Sequence, residues 1–463
     1  MRIHRPTRFV ATFNSRRELL RRMVSVGLGL PFSAAKALPV FGDSAIQQQN
    51  VVQHTSAASA PNPNALSPED DQFLNDVEQR AFLFFWEQTN EYTGLTRDRC
   101  NIRRQENSTV ASIASTGFGL TALCIGEMRR FVGRSEARQR VIAALSFLRD
   151  KLPTHRGFFF HFANIDTGER IWDSEASSVD TAMLLCGIMT CREHFRDRSI
   201  TGLANSILNR VDWTWLSEDT RLLAHGWTPE LGFLPSKWDF YSELMAIYLL
   251  GIGSSSHPIA SEAWFAWKRT IFEYDGLRYV GSYAPLFVHQ YSQAWFDFRN
   301  KRDQYADYFQ NSAVATDVHR RFCLELNEQF PDYSNALWGI TASDSAKGYV
   351  VWGGPPAMGP IDGTIVPAAA GGSLPFLPNA TMRVLRTIHD HYPNAWCRYG
   401  FVDAFNPLTD WYDTDVVGID TGITMLMAEN ARTGFVWDTF MKAPEARRGM
   451  ANAGFKSYHP TTE

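Results

Sequence analysis

WDFYSELMAIYLL, residues 238–250, is the stretch from which the rest of the chain can be read. It runs from a polar loop into a short, strongly apolar helix, expected over 241–251. Asp239 is suited to cap that helix, its carboxylate accepting from an amide with no intrahelical partner. Glu243 falls in the first turn, and Ala246, Ile247 and Leu250 follow on the same face. A carboxyl on an apolar face finds a partner or takes up a proton, because burial penalises its charge. The protonated form is the one a hydrolase needs to protonate a leaving group. Acids also gather in first turns simply through the helix dipole, so position alone supports both readings.

Outward from this helix, helical periodicity recurs at 69–89, 111–131, 136–151, 176–195 and 202–217. It returns at 259–271, 289–298, 303–328, 340–347, 376–391 and 419–431, giving about twelve helices. SPED at 67–70 marks the first start, with Pro at its head and acids in the first turn. Extended alternation is confined to short pieces such as 157–162 and 277–280. Gly-, Pro- and Trp-rich loops lie between, at 225–238, 274–288, 331–338, 348–375 and 395–418. The expectation is one all-α domain over 69–445, a ring of helical hairpins whose long loops converge over one mouth. A superhelical solenoid is the other arrangement open to so many helices. A polar C-terminal tail, 446–463, is expected to be loose.

Composition narrows the function. Fourteen Trp, fifteen Tyr and 32 Phe mean that many rings must be buried while a few can line a groove. No apolar run reaches the length of a bilayer span. Residues 15–21, SRRELLR, precede the modest apolar stretch 23–32 and then SAAKA at 33–37. This is a basic region, a short hydrophobic region and small residues suited to cleavage after Ala37 or Ala35. It resembles a twin-arginine export signal, with Leu19 where Phe is usual and Arg21 in place of Lys. The expectation is a leader over 1–37, read by the twin-arginine machinery, a flexible linker over 38–68, and a periplasmic destination. Removing the leader takes the formal charge from −4 to −11, a poor balance for gripping nucleic-acid phosphates. The six Cys show no CxxC, and Cys124 and Cys186, in apolar helical surroundings, are expected to be free and buried.

The acids then carry the chemistry. IWDSEASSVDTAMLLCG (171–187) holds Asp173, Glu175 and Asp180. Ser177 and Asp180 suit a reciprocal capping box, which asks for no function, whereas Glu175 is harder to absorb as a cap. Beside Trp172 these acids make a plausible sugar floor: the indole meets the ring face and the carboxylates accept hydroxyls. Asp344 and Lys347 share a short expected helix face, where a surface ion pair is the plain reading. WYDTDVVGIDTGITMLMAEN (411–430) presents Asp413, Asp415 and Asp420. Asp420 can serve as a cap, while Asp415 precedes the helix in an aromatic-led loop. Further groove candidates are Trp238, Tyr241, His289, Gln290, Asp344, Trp352, Asp362 and Trp411. His155, His161, His225, His257 and His319 are scattered, and no HExxH, phosphate loop or GxSxG occurs. A pocket rich in carboxylates and aromatics points to glycosidic bonds, one acid protonating the leaving oxygen and one base activating water.

From about 236 onward the chain resembles the glycoamylase-like domain family. The runs that carry the likeness include DFYSELMAIYLLGIGSSSHPI (239–259), FPDYSNALWGITASDSAKGY (330–349) and GPIDGTIVPAAAGGSLPF (359–376). YGFVDAFNP (399–407) and WYDTDVVGIDTGITMLMAENARTGFVWDTFM (411–441) continue it, and TGLTRDR, ASIASTGFGLTAL and SSVDTAMLLCG extend it upstream. The full-length arrangement is similar to the bacterial β-1,2-glucanases of glycoside hydrolase family 144. That resemblance implies an (α/α)6 toroid, no cofactor, and inverting endo-hydrolysis of β-1,2-glucan to sophorooligosaccharides. It implies Glu243 as the acid, Glu175 and Asp180 as the upstream acidic cluster, and Asp415 or Asp420 on the base side. A β-1,2-glucan transglycosylase and a non-catalytic glucan-binding protein are the alternatives.

Overall fold

The computed structural model describes residues 66–283, 285–356 and 358–458. The expected leader and all but the end of the expected linker lie outside the described residues. The helices are α1 (Pro68–Glu87), α2 (Ile113–Met128), α3 (Arg134–Asp150), α4 (Ser178–Phe195), α5 (Arg198–Asn209) and α6 (Trp213–Leu216). They continue as α7 (Leu244–Gly253), α8 (Tyr308–Glu325), α9 (Pro367–Gly371), α10 (Pro378–His391), α11 (Gly418–Arg432), α12 (Phe435–Phe440) and α13 (Pro444–Asn452). The first begins as its sequence predicts: Ser67 Oγ accepts from Asp70 N at 3.1 Å, with Pro68 at the head. The strands are two to four residues long and pair locally or between loops.

Two kinds of helix alternate along the chain. α3, α5 and α10 bury one face each, through Val141, Leu145 and Leu148, through Ile200, Leu203 and Ile207, and through Val384, Leu385 and Ile388. α2, α4, α7 and α11 are instead buried almost all round, as helices inside a large protein must be. The first kind therefore forms an outer layer over the second. Close contact among the inner helices depends on small residues. A Cβ on Gly187 would stand 2.2 Å from Gly117 O, and one on Gly117 would stand 2.5 Å from Met183 O, so α2 and α4 touch backbone to backbone.

Far along the chain from the loops described below, buried charges lock α1 to α2 and α11. Arg129 pairs with Glu429 at 2.7 Å and Arg432 with Glu78 at 2.6 Å, both acids fully buried. Burial, then the neighbouring Glu429 charge, push the Glu78 carboxyl well above its usual range. Among the described residues no helix is long and apolar enough to cross a membrane.

Four expectations change. Residues 259–271 give only a 3-10 turn, Ser261–Phe265, and 289–298 gives turns at Leu286–His289 and Tyr291–Ala294. Residues 340–347 are not helical: Ala342–Ser343 pairs with Val350–Val351, and Ser345 Oγ bonds Lys347 N and Gly348 O. Serine side chains that satisfy the backbone locally compete with a helix. The stretch after 445 is ordered to 458: α13 packs Gly449 onto Leu249 O, and Lys456–Ser457 pairs with Lys301–Arg302. All six cysteines are free thiols, Cys124 and Cys186 buried as expected.

Candidate active site

Loop-to-loop hydrogen bonds gather the N-terminal ends of the inner helices. Ile113 N, opening α2, donates to His161 O (3.1 Å), and His161 N donates to Glu175 O (2.9 Å) just before α4. Ser178 N donates to His225 O (3.1 Å), and Gly418 N, opening α11, donates to Asp98 O (2.8 Å). Trp238 Nε1 donates to Ser178 Oγ (2.7 Å), joining the approach to α7 to the start of α4. Glu175, Asp180, Glu243, Asp415 and Asp420 all belong to these helix starts, so one end of the helix layer collects the acids.

Glu243 is 2% exposed and occupies the cap position of α7, where its own side chain makes no capping bond. Asp239, expected in that role, lies outside the helix with its carboxyl 3.9 Å from Lys268 Nζ. Ser292, from the neighbouring 3-10 turn, explains the change: its Oγ accepts from Ala246 N (3.0 Å) and donates to Glu243 O (2.8 Å). A hydroxyl brought from another segment thus accepts from the orphan amide of Ala246 that a local aspartate would have met, and also donates to a carbonyl, which a carboxylate cannot do. Tyr241 is fully buried, its hydroxyl 3.1 Å from His289 Nδ1. Burial, then the nearby His319, push the His289 imidazole down to about 3, so it is neutral. Gln290 is structural: its amide donates to Ala369 O (3.0 Å) and Ser373 Oγ (2.8 Å), tying the turn to α9. Trp238 is likewise packed, its ring stacked on His225 at 3.9 Å.

The upstream acids enclose a histidine that the sequence reading left among the scattered ones. His161 Nδ1 lies 3.4 Å from Glu175 Oε1, and its Nε2 lies 3.6 Å from Asp180 Oδ1, all three residues buried. Ser177 caps α4 as expected, its Oγ accepting from Asp180 N (3.3 Å), but the return bond differs from a capping box: Asp180 Oδ2 accepts from the Ser177 hydroxyl itself (2.5 Å). Burial alone would lower the His161 pKa, but the charges of Asp180 and Glu175 outweigh it and hold it above the ordinary value. The ring stacks on Phe162 at 3.9 Å, and Phe162 meets the edge of Trp172, which is 63% exposed. Trp172 and Asp173 both take positive φ, a turn that holds the indole out toward solvent.

A second acidic group forms where Arg99–Asn101 pairs with Asp415–Val417. Arg99 bonds Asp98 (3.1 Å) and Asp344, and lies 3.9 Å from Asp415. Asp344 is therefore partnered by Arg99, and the expected pair with Lys347 is replaced. Asp415 also accepts from Asn101 Nδ2 (2.7 Å). Beneath them lie Asp403, which the sequence reading missed, and Asp413, which it noted without selecting. Asp403 Oδ2 accepts from Asp344 N (2.7 Å), and Asp413 Oδ1 accepts from Thr414 N (2.7 Å) and Asp415 N (3.1 Å). Their other oxygens, Asp403 Oδ1 and Asp413 Oδ2, are buried with no hydrogen-bond partner among the described residues. Burial, then the charges of Asp420, Asp344 and Asp413, push the Asp403 carboxyl well up. Burial and Asp344 raise Asp413 to about 7. Val417 occupies the cap position of α11, so Asp420 stands within the first turn and lines a small cavity with Asp403, Tyr399 and Thr424.

The remaining candidates divide. Trp352 is buried with its Nε1 donated to Ser343 Oγ (2.9 Å), and Asp362 accepts from Thr364 N (3.0 Å), both structural bonds. Trp411 is half-buried in a hairpin against Phe405–Asn406. Among the described residues two groups could bring ligand atoms within 4.8 Å of one another, His161–Glu175–Asp180 and Asp344–Asp403–Asp413. His161, its pKa raised by the acids, lies between those of the first, Arg99 pairs within the second, and neither group is assigned a metal.

Residues 235–444 match the family model described as Glycoamylase. The exo β-1,2-glucooligosaccharide sophorohydrolase (non-reducing end) of Parabacteroides distasonis is 29% identical, the match covering 88% of this chain. This chain spans only 60% of that relative's length. An endo-β-1,2-glucanase from Chitinophaga pinensis, solved with sophorotriose and glucose, is similar at a TM-score of 0.79 and 26% identity. The match covers 85% of this chain and 99% of that one. A β-1,2-glucanase structure from Parabacteroides distasonis is similar at 0.78 and 26% identity, over 83% of this chain and 60% of that one.

Proposed function

We propose that the chain, whose residues 235–444 match the glycoamylase-like family model, is an inverting endo-hydrolase of linear β-1,2-glucan. The observation that carries this reading is the gathering of buried acids at the N-terminal ends of the inner helices. The likeness to solved β-1,2-glucanases gives that gathering its substrate class. The alternation of outer and inner helices supports an (α/α)6 toroid whose mouth is formed by those ends.

Glu243 is the general acid. It is buried at the head of an apolar helix, where desolvation favours the proton and the helix terminus opposes it. The base side is Asp415 or Asp420, across the scissile bond, with carboxyls roughly 6.5–9.5 Å apart to admit a water. Glu175 and Asp180 position the sugar, with Trp172 as an exposed face for a ring to stack on. Asp403 and Asp413, both raised by burial and by neighbouring acids, lie beside the base side, where Arg99 and Asn101 hold Asp415 in place.

The likeness to a sophorohydrolase favours one second reading, stepwise release of sophorose from the non-reducing end. Chromatography of products from linear β-1,2-glucan separates the two: an endo-enzyme first gives a spread of lengths, an exo-enzyme gives sophorose alone. Products longer than the substrate would instead mark a transglycosylase, and binding without new reducing ends a glucan-binding protein. Action on starch alone would defeat the substrate assignment.

The export reading belongs with this function, since it would place the enzyme in the periplasm with the glucan. Replacing Arg16 and Arg17 by Lys is expected to leave uncleaved precursor in the cytoplasm, seen by fractionation and immunoblot. Normal periplasmic appearance of that variant would contradict it.

A further inference from the structure

Two buried carboxyls set side by side cannot both ionise without a compensating charge. Glu175 and Asp180 are such a pair, and the group placed between them is His161, one ring nitrogen toward each. The ring has little freedom to leave. Its backbone is held on both sides, by Ile113 N on its carbonyl and by Glu175 O on its amide. One face of the imidazole is stacked on Phe162. Asp180 is fixed from the other side by Ser177 at the cap of α4.

We infer that His161 is a positioning residue: it carries a proton between Glu175 and Asp180 and so keeps both as carboxylates, ready to accept sugar hydroxyls. This rests on the glucan reading for its ligand, though not for its electrostatics. The groups facing His161 are Glu175 from the loop before α4, Asp180 from α4 and, more distantly, Asp98 from the loop before Arg99–Asn101. His225, on the other side of Glu175, is pushed down to about 4, chiefly by burial, and adds no charge. His161 is thus the one protonated histidine of this corner. Without its proton the corner would hold two buried negative charges, and Glu175 would take up a proton instead.

The sign follows. His161 binds its proton more tightly in the folded chain than in the unfolded one. The stability it contributes is therefore full below the unfolded value of about 6.5 and is lost as pH rises through the folded value.

Two measurements on the full chain test the inference. The first is an NMR titration of the imidazole nitrogens, with the His161 signal assigned by its loss in His161→Gln. Its midpoint should lie above about 6.5 and fall by about one pH unit or more in Glu175→Gln, because one of the two opposite charges is gone. The second is the pH profile of kcat/KM for glucan cleavage in His161→Gln, with folding checked by circular dichroism. The acid limb should move up by about one unit, since Glu175 then ionises later, with a loss of about 10-fold or more below neutrality. A wild-type midpoint below 6.5, or one unmoved by Glu175→Gln, would overturn the inference. So would a folded His161→Gln enzyme with lower activity and an unshifted limb, which is the signature of a purely structural histidine. Should the chain cleave no glucan, or the histidine variant fail to fold, the titration in wild type and Glu175→Gln still decides the electrostatic claim, with assignment by His161→Asn.

Discussion

A carboxyl only 2% exposed must either hold its charge against desolvation or hold a proton, and Glu243 meets that choice at the head of α7. Its burial was legible in the sequence, because the apolar residues at helical spacing admit no solvent face. Its cap was not, because Ser292 comes from a segment about fifty residues away and no local pattern announces it. Glu243→Gln keeps the size and the hydrogen-bonding reach while removing the proton. It is expected to fold and to bind glucan, with turnover down by at least about 100-fold. Steady-state kinetics alongside binding calorimetry check this, and near-wild-type turnover would refute the acid assignment. Asp403 was invisible for a related reason: its neighbours Asp344, Asp413 and Asp420 are brought to it by folding. For Asp413, raised to about 7 from an unfolded value of about 3.9, the folded chain binds the extra proton. Stability therefore falls as pH rises from about 4 to about 7. Asp413→Asn retains the Oδ1 that serves Thr414 N and Asp415 N, and replaces the unpartnered oxygen by a neutral amide. The variant is expected to gain up to about 3 kcal/mol over the parent at pH 7.5 relative to pH 4.5, at about 1.4 kcal/mol per pH unit, read from denaturant unfolding of both proteins at both pH values. An unchanged pH dependence would show that the crowding is relieved elsewhere.

At the scale of elements, helices with a clear periodic face were found near their true limits, while tertiary bonds decided the aromatic-rich and serine-rich pieces. In 289–298 the polar groups are spent outward: Gln293 Nε2 donates to Tyr308 O (2.8 Å) and Ser312 Oγ (2.6 Å), and Trp295 Nε1 to Thr121 Oγ1 (3.0 Å). Two 3-10 turns serve those bonds where a regular helix was expected. α13 lies in a stretch expected to be a polar tail, and its packing face is Ala446, Gly449 and Met450. Small-residue packing sets the distance between α2 and α4, and so between the loops that open onto Ile113 and Glu175. Gly187→Ala drives a methyl into Gly117 O, a rigid backbone atom. The expected cost is about 3 kcal/mol, at the upper end of overpacking effects, measured by denaturant unfolding. A change below roughly 0.5 kcal/mol, the scatter of neutral substitutions, would mean that the helices can part without penalty.

For the whole molecule, the alternation of outer and inner helices was legible as fold class, since length, periodicity and loop placement all pointed to paired helices. The loop contacts that join the helix starts were only implied, because their hydrogen bonds link residues from Asp98 to Gly418 that no sequence window contains. Those contacts give a physical account of why acids collect at one end of the inner helices. In the reaction proposed above, an acid on α7 and a carboxylate on the α11 side would stand across the scissile bond, and the attacking water would approach opposite the departing glucosyl oxygen. The most direct test is proton NMR of the first product formed from linear β-1,2-glucan, recorded before mutarotation equilibrates the new reducing end. The account predicts the α-anomer, inverted from the β-bond that was cut; an initial β-anomer would mean retention and would contradict it.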